Sequence, residues 1–247
     1  MSTRRQELTE SLSRVRERIA AASADRAVAP ELIVVTKYFP ASDVELLTEL
    51  GVTEFGENRD QEAGPKAVET SDLELNWHFI GQLQTNKART VVRYASAVHS
   101  VDRVSLVKAL EKAKARFARE SEIPDPYQLR EKKLPVLIQV DLDPAAGTDP
   151  AKPRGGALPA EIEEIAAAIA ATEWLTLQGV MAVAPMDADP AEAFGRLAKH
   201  HESLLASYPE ATWCSAGMSH DLEAAVAAGA THLRIGSDVL GARPSLG

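Results

Sequence analysis

Short apolar runs alternate along the chain with stretches whose apolar residues recur at helical spacing. Near the start, Leu8, Leu12, Val15 and Ile19 follow one another at steps of 4, 3 and 4. That spacing puts one apolar stripe on a helix, predicted within residues 1–30 and packing on the domain that follows. The first apolar run is Leu32-Ile33-Val34-Val35-Thr36, followed by a helix that opens near Pro40 and ends at Gly51. The next runs are Thr53 to Gly56, Trp77 to Ile80 and Ala97 to Ser100. Helices are predicted between them over about Gln61 to Glu69 and Asn86 to Tyr94, and after them from Asp102 to about Glu120. Ser121 to Lys133 carries prolines and charges and reads as a surface excursion.

Four more runs follow: Pro135 to Val140, Leu175 to Val183, Ala211 to Ser215 and His232 to Ile235. A loop with Gly147, Pro150, Pro153, Gly155 and Gly156 comes after the fifth run. Helices are expected over Pro159 to Ala171, Pro190 to Ser207 and Ser219 to Ala228, and Ser237 to Leu240 closes the chain.

Eight strands alternating with helices imply a parallel sheet. A repeat of about 25 to 30 residues in a chain of 247 fits an α/β fold of one kind best, a single (β/α)8 TIM barrel spanning 1–247. A doubly wound open sheet is the main competitor. In such barrels the chemistry sits at the C-terminal ends of the strands. Attention therefore falls on Lys37, Asn58, His78, His99, Asp141, Met181, Ser215 to Ser219, and Arg234 to Ser237.

Composition narrows the partners. The chain is 45% hydrophobic and 26% charged, with a formal net charge of −9. That charge disfavours broad binding to nucleic acid and offers no attraction to anionic lipid. No apolar run approaches the roughly 20 residues that span a bilayer. Glu7, Glu10 and Glu17 argue against a transit peptide. Cys214 is the only cysteine, which rules out an intrachain disulfide, and its apolar neighbours mark it as a buried structural thiol. A cytoplasmic monomer is the simplest expectation. A metal site is not expected: His200 and His201 are adjacent and cannot share a helix face, and there is no His-Glu-x-x-His.

Lys37 ends the first strand. A lysine there either reaches solvent along its own stem or works in the barrel mouth, where a deprotonated amine forms imines with aldehydes. Lys87, after the third strand, is the runner-up; Lys66 and Lys108 sit within helices. The segment Ser215-Ala216-Gly217-Met218-Ser219, leading into a helix near His220, has the makings of an anion site, as does Arg234-Ile235-Gly236-Ser237 before the last helix. Phosphate is often held by the loops after strands seven and eight of such barrels. Plain helix capping by the same serines is the structural alternative.

Taken in order, these stretches resemble one family. They are Val34-Val35-Thr36-Lys37 with Pro40, Phe55-Gly56-Glu57-Asn58, Trp77-His78-Phe79-Ile80-Gly81 with Leu83-Gln84-Thr85-Asn86-Lys87, and Gly179-Val180-Met181-Ala182. Gly217-Met218-Ser219 with Asp221 and Glu223, and Arg234-Ile235-Gly236-Ser237 with Gly241-Ala242-Arg243, complete the set. The chain resembles the pyridoxal 5′-phosphate (PLP) homeostasis proteins of the YggS/PROSC type, which look like the N-terminal barrel of alanine racemase without its second domain. The resemblance implies a Schiff base between PLP and Lys37. It implies phosphate contacts from Ser219, Gly236 and Ser237, with Ser215 in the same loop, and Arg234 facing the pyridine ring. Asn58, His78 and Met181 match pocket-lining positions. The sequence departs from the family pattern at Tyr38, Ala216 and Ser237, and Arg154-Gly155-Gly156 stands near the usual Lys-Gly loop.

An arginine beside the pyridine nitrogen is permanently cationic and disfavours ring protonation, so the ring is a weaker electron sink than one paired with Asp. Racemases of this type also need a tyrosine base from an additional domain, which this sequence is not expected to supply. The resulting expectation is a PLP-binding protein that stores, buffers or delivers the cofactor to PLP-requiring apo-enzymes, with little or no catalysis. The alternatives are a PLP-dependent amino-acid racemase or lyase, and an aldolase-like barrel, which usually carries its lysine on a later strand.

Overall fold

The computed structural model describes residues 3–145 and 155–242. Eight parallel strands close into a barrel in chain order. They are β1 (Glu31–Val35), β2 (Glu54–Glu57), β3 (Asn76–Phe79), β4 (Ala95–Val101), β5 (Leu134–Gln139), β6 (Leu175–Met181), β7 (Trp213–Ser215) and β8 (His232–Ile235). The first and last strands pair in parallel, with Ile33 opposite Arg234 and Val34 opposite Ile235, and this pairing closes the ring. The open-sheet alternative is thereby excluded.

Strand side chains alternate between two faces. Val34, Phe55, Trp77, Val98, Ile138, Val180, Cys214 and Leu233 join the buried apolar layer between strands and helices. Burial pushes the Cys214 thiol up to about 11, as suits a structural cysteine. The opposite face fills the barrel. A side chain placed on Gly56 would touch Ile33, Val35 and Ile80, which fixes these as inner positions.

The outer helices are α1 (Thr3–Ala22), α2 (Ala41–Glu49), α3 (Asp60–Glu69), α4 (Ala88–Val91), α5 (Val104–Phe117), α6 (Ile162–Ala170), α7 (Pro190–Ser207), α8 (Leu222–Ala227) and α9 (Ser237–Leu240). The predicted stripe Leu8, Leu12, Val15 and Ile19 is buried, and α1 packs on α8 and α9.

Three expectations need correcting. The helix foreseen over Asn86 to Tyr94 is a 3-10 turn (Thr85–Lys87) running into the single turn of α4. It stops early because Tyr94 is buried, with its hydroxyl on Asp60 (3.3 Å), and the chain enters β4 at once. Ser121 to Lys133 is not merely a surface excursion. Leu129 is buried, and the Tyr127 hydroxyl accepts from Trp77 Nε1 (3.2 Å) and donates to the Ala67 carbonyl (2.6 Å). The helix expected from Ser219 opens only at Leu222. Asp221 accepts from the Met218 N–H (2.6 Å) and holds an intervening turn, so Ser219 does not cap that helix. Gly147, Pro150, Pro153, Arg154 and Arg243 lie outside the described residues.

Candidate functional site

Lys37 leaves β1 through a tightly held turn. Beneath it, Thr36 Oγ1 donates to Glu57 Oε1 (2.7 Å), and the Thr36 carbonyl accepts from Lys66 Nζ (2.9 Å). Lys66 also pairs with Glu57, both buried. Burial pushes the Glu57 carboxyl above its ordinary range, against the pull of Lys66. On the far side of Lys37, Tyr38 has φ 71°, uncommon for any residue but glycine. Its N–H donates to Glu62 (2.9 Å), and Arg59 stacks over its ring at 5.4 Å. Both neighbours of Lys37 are thus tied to partners on β2 and at α3.

The rival lysines are committed elsewhere. Lys66 is spent on Glu57 and Thr36, and Lys87 lies 3.5 Å from Asp60. Lys114, which carried no sequence signal, donates to the Leu129 carbonyl, and burial lowers it to about 8. It lies on α5, outside the ring of strands.

Ser219 and Ser237, the candidate anion cradle, meet where the loops after β7 and β8 come together. Ser237 Oγ donates to Ser219 Oγ (3.0 Å), and the Asp238 N–H points at the same oxygen (3.3 Å). Gly217 turns the first loop at φ 90°; a side chain there would strike Ala225 and Leu233 at under 3 Å. Gly236 lies against β1, where an added Cβ would sit 3.2 Å from the Val35 carbonyl. Adjacent strands stand about 4.8 Å apart, so the ends of β1 and β7 are about 10 Å apart across β8.

Arg234 lies in the barrel interior below this gap, almost wholly buried. Its Nη1 donates to Ser215 Oγ (2.6 Å) and its Nη2 to the Ala182 carbonyl (2.8 Å). Burial pulls it down to about 10, which leaves it cationic at neutral pH.

Below Arg234 runs a chain of buried polar groups. Ser215 Oγ meets His99 Nδ1 (2.9 Å), His99 Nε2 meets His78 Nδ1 (2.9 Å), and His78 Nε2 meets Glu54 (2.7 Å). Arginine only donates, so Ser215 accepts from Arg234. Burial above all, then the neighbouring His78 and Arg234, hold His99 well below its ordinary pKa. The chain runs unbroken from the Arg234 cation to the Glu54 carboxyl. Burial raises the Glu54 carboxyl, but hydrogen bonds from His78 and Asn76 outweigh it and bring it below its usual value.

Ser219 and Ser237 are bonded to each other, Gly236 lies against the end of β1 that leads into Lys37, and Arg234 is bonded to Ser215. His78 is bonded within the barrel, to His99 on one side and Glu54 on the other. Met181 is buried beside Ser215, its partner in register on β7. Asn58 lines a cavity of about 410 Å³ with Arg59, Gln82 and Arg103, and its buried Oδ1 has no hydrogen-bond partner. Glu54 escaped the sequence reading because it begins its strand, whereas that reading looked at strand ends. Among the described residues no group of three or more His, Cys, Asp or Glu is placed to hold a metal, and no helix is long and apolar enough to cross a membrane.

A profile of the alanine racemase N-terminal domain matches residues 11–244. The pyridoxal phosphate homeostasis protein of Mycobacterium bovis is 40% identical over 97% of this chain and 94% of its own. The protein of the same name from Escherichia coli is 34% identical over 96% of this chain and 97% of its own. PipY of Synechococcus elongatus, solved with PLP bound, superposes with a TM-score of 0.74 at 31% identity, covering 95% of this chain and all of that one.

Proposed function

From the premise that this chain belongs to the alanine racemase N-terminal domain family, among its pyridoxal phosphate homeostasis proteins, we propose that it holds PLP at the barrel mouth and releases it to other amines, with little catalysis of its own. One observation carries the reading: a lysine follows β1, and two serine hydroxyls bonded to each other follow β7 and β8, the next two strands around the ring, with a buried arginine on β8. When bound, PLP supplies an aldehyde that a lysine amine can hold reversibly.

The residues fit such a group. Lys37 would hold the aldehyde carbon, and Ser219, Ser237 and the Asp238 N–H would take the phosphate. Arg234 would face the ring nitrogen. Sealed by the Ser215 and Ala182 oxygens, it stays charged and discourages a proton on that nitrogen, which favours holding over carbanion chemistry. Delivery to apo-enzymes follows as the use of a reversibly held aldehyde, since an incoming amine can displace Lys37.

The test is a PLP titration followed by absorbance. Wild type gains the visible band of a lysine-bound cofactor, and Lys37→Ala does not. Borohydride reduction followed by peptide mapping places the label on Lys37. A band that persists in Lys37→Ala, or a label on Lys87, overturns the proposal.

A further inference from the structure

We propose that Arg18, on the N-terminal helix, is a positioning residue for the phosphate cradle, clamping its two loops together and neutralising the carboxylates around them. The inference rests on the reading of Ser219 and Ser237 as phosphate ligands.

One guanidinium reaches both sides of the cradle. Arg18 Nε and Nη2 fork onto Glu223 (3.0 and 3.1 Å), at the start of α8. Nη2 also donates to the carbonyl of Ser219 itself (3.1 Å), and Nη1 donates to Asp238 (2.6 Å), the residue after Ser237. The helix that carries Arg18 is anchored on the same segment by two further bonds. Ser11 Oγ donates to the Val239 carbonyl (2.5 Å) and Arg4 Nη2 to that of Leu240 (3.1 Å).

Two physical consequences follow. The loops touch directly through the Ser237–Ser219 hydroxyl bond. A phosphate that takes these hydroxyls as donors competes for that bond, and Arg18 then remains as a side-chain link between the loops. The cradle also lies among Asp221, Glu223 and Asp238, an unusual acidic surround for a group carrying about −1.5 to −2 charges. Arg18 sets its charge against two of the three. Its fork onto Glu223 holds that carboxyl below the usual range. Without Arg18, neither carboxylate would have that cation beside it as the anion arrives.

An exposed ion pair contributes little to folding, so the loss should appear in anion affinity. The experiment measures thermal shifts and binding titrations with PLP, with inorganic phosphate and with pyridoxal, which lacks the phosphate. Wild type is compared with Arg18→Ala, Arg18→Lys and Arg5→Ala; the last removes an ion pair with Glu49 elsewhere on α1. Arg18→Ala should weaken PLP and inorganic phosphate by about tenfold, the scale of a lost charge-assisted contact, and leave pyridoxal within about twofold. Arg18→Lys should recover part of this, because an ammonium restores charge but cannot span the three partners. Arg5→Ala should behave as wild type. Equal losses for PLP and pyridoxal would reveal a general structural role and overturn the clamp. Unchanged phosphate and PLP affinity in Arg18→Ala would overturn the clamp and leave the PLP reading standing. A wild type that answers neither PLP nor phosphate would overturn both.

Discussion

The chemistry of this protein rests on a few atoms whose environments differ sharply. Lys37 sits between two residues that cannot move freely: Thr36 is fastened to Glu57 and Lys66, and Tyr38 is held at φ 71° by Glu62. A non-glycine residue in the left-handed region costs on the order of 1 kcal/mol, so that turn persists because its partners hold it. The two serines of the cradle are simpler. Ser219→Ala and Ser237→Ala each remove one hydroxyl from the anion, and each should weaken PLP by about tenfold. At saturating PLP the visible band should survive in both, since Lys37 is untouched. Titration of the two variants checks this, and an unchanged affinity in the double variant would remove these hydroxyls from the site.

Between elements, buried polar ties do what apolar packing does elsewhere. Lys66 on α3 reaches under β1 to the Thr36 carbonyl while pairing with Glu57 on β2, so three elements meet at one ammonium. Glu57 Oε2 is buried with no partner, so the pair already carries a cost. Lys66→Met would strand the carboxylate in the interior and should destabilise by about 3 kcal/mol. Adding Glu57→Leu should recover much of that, because a buried pair replaced as a unit costs far less than one broken. Denaturant unfolding of the two variants measures both steps. In the single variant the PLP band should also weaken, since the turn that aims Lys37 loses its floor.

Across the whole molecule, one part of the barrel interior is polar where many such barrels are filled with branched aliphatics. His78, His99, Trp213 and His232 crowd together, with the Trp213 and His232 rings 4.3 Å apart. Burial above all, and then His78 and Arg234, pull His232 from its ordinary 6.5 down to about 4, against the pull of Glu54. A histidine whose folded pKa is depressed stabilises the fold fully above its unfolded pKa, and that stability is lost as acid forces the proton on. Stability should therefore fall as pH drops from about 6.5 towards 4, with His232 alone accounting for about 3 kcal/mol. His99 acts in the same direction, and Glu54, held low, adds a loss of the same sign at the acid end. Unfolding free energies measured between pH 7 and 4 check this. A flat profile would mean that the interior takes up protons without cost.

Much of the fold was legible in the chain because strand and helix periods are local properties. The order of eight apolar runs, the stripe Leu8, Leu12, Val15 and Ile19, and Lys37, Ser219 and Ser237 beside strand ends needed only neighbours a few residues away. Resemblance to a known family supplied the cofactor. The remaining features depend on residues far apart in the chain. Arg234 and Ala182, His99 and Ser215, and Arg18 and Ser219 are separated by 52, 116 and 201 residues. Which of these groups meet is decided when the sheet closes and sets its register, and no local pattern encodes that. The inward turn of His78, the late start of α8 and the reach of Arg18 across two loops follow from closure, because burial there obliges each polar group to find a partner wherever the ring of strands brings one.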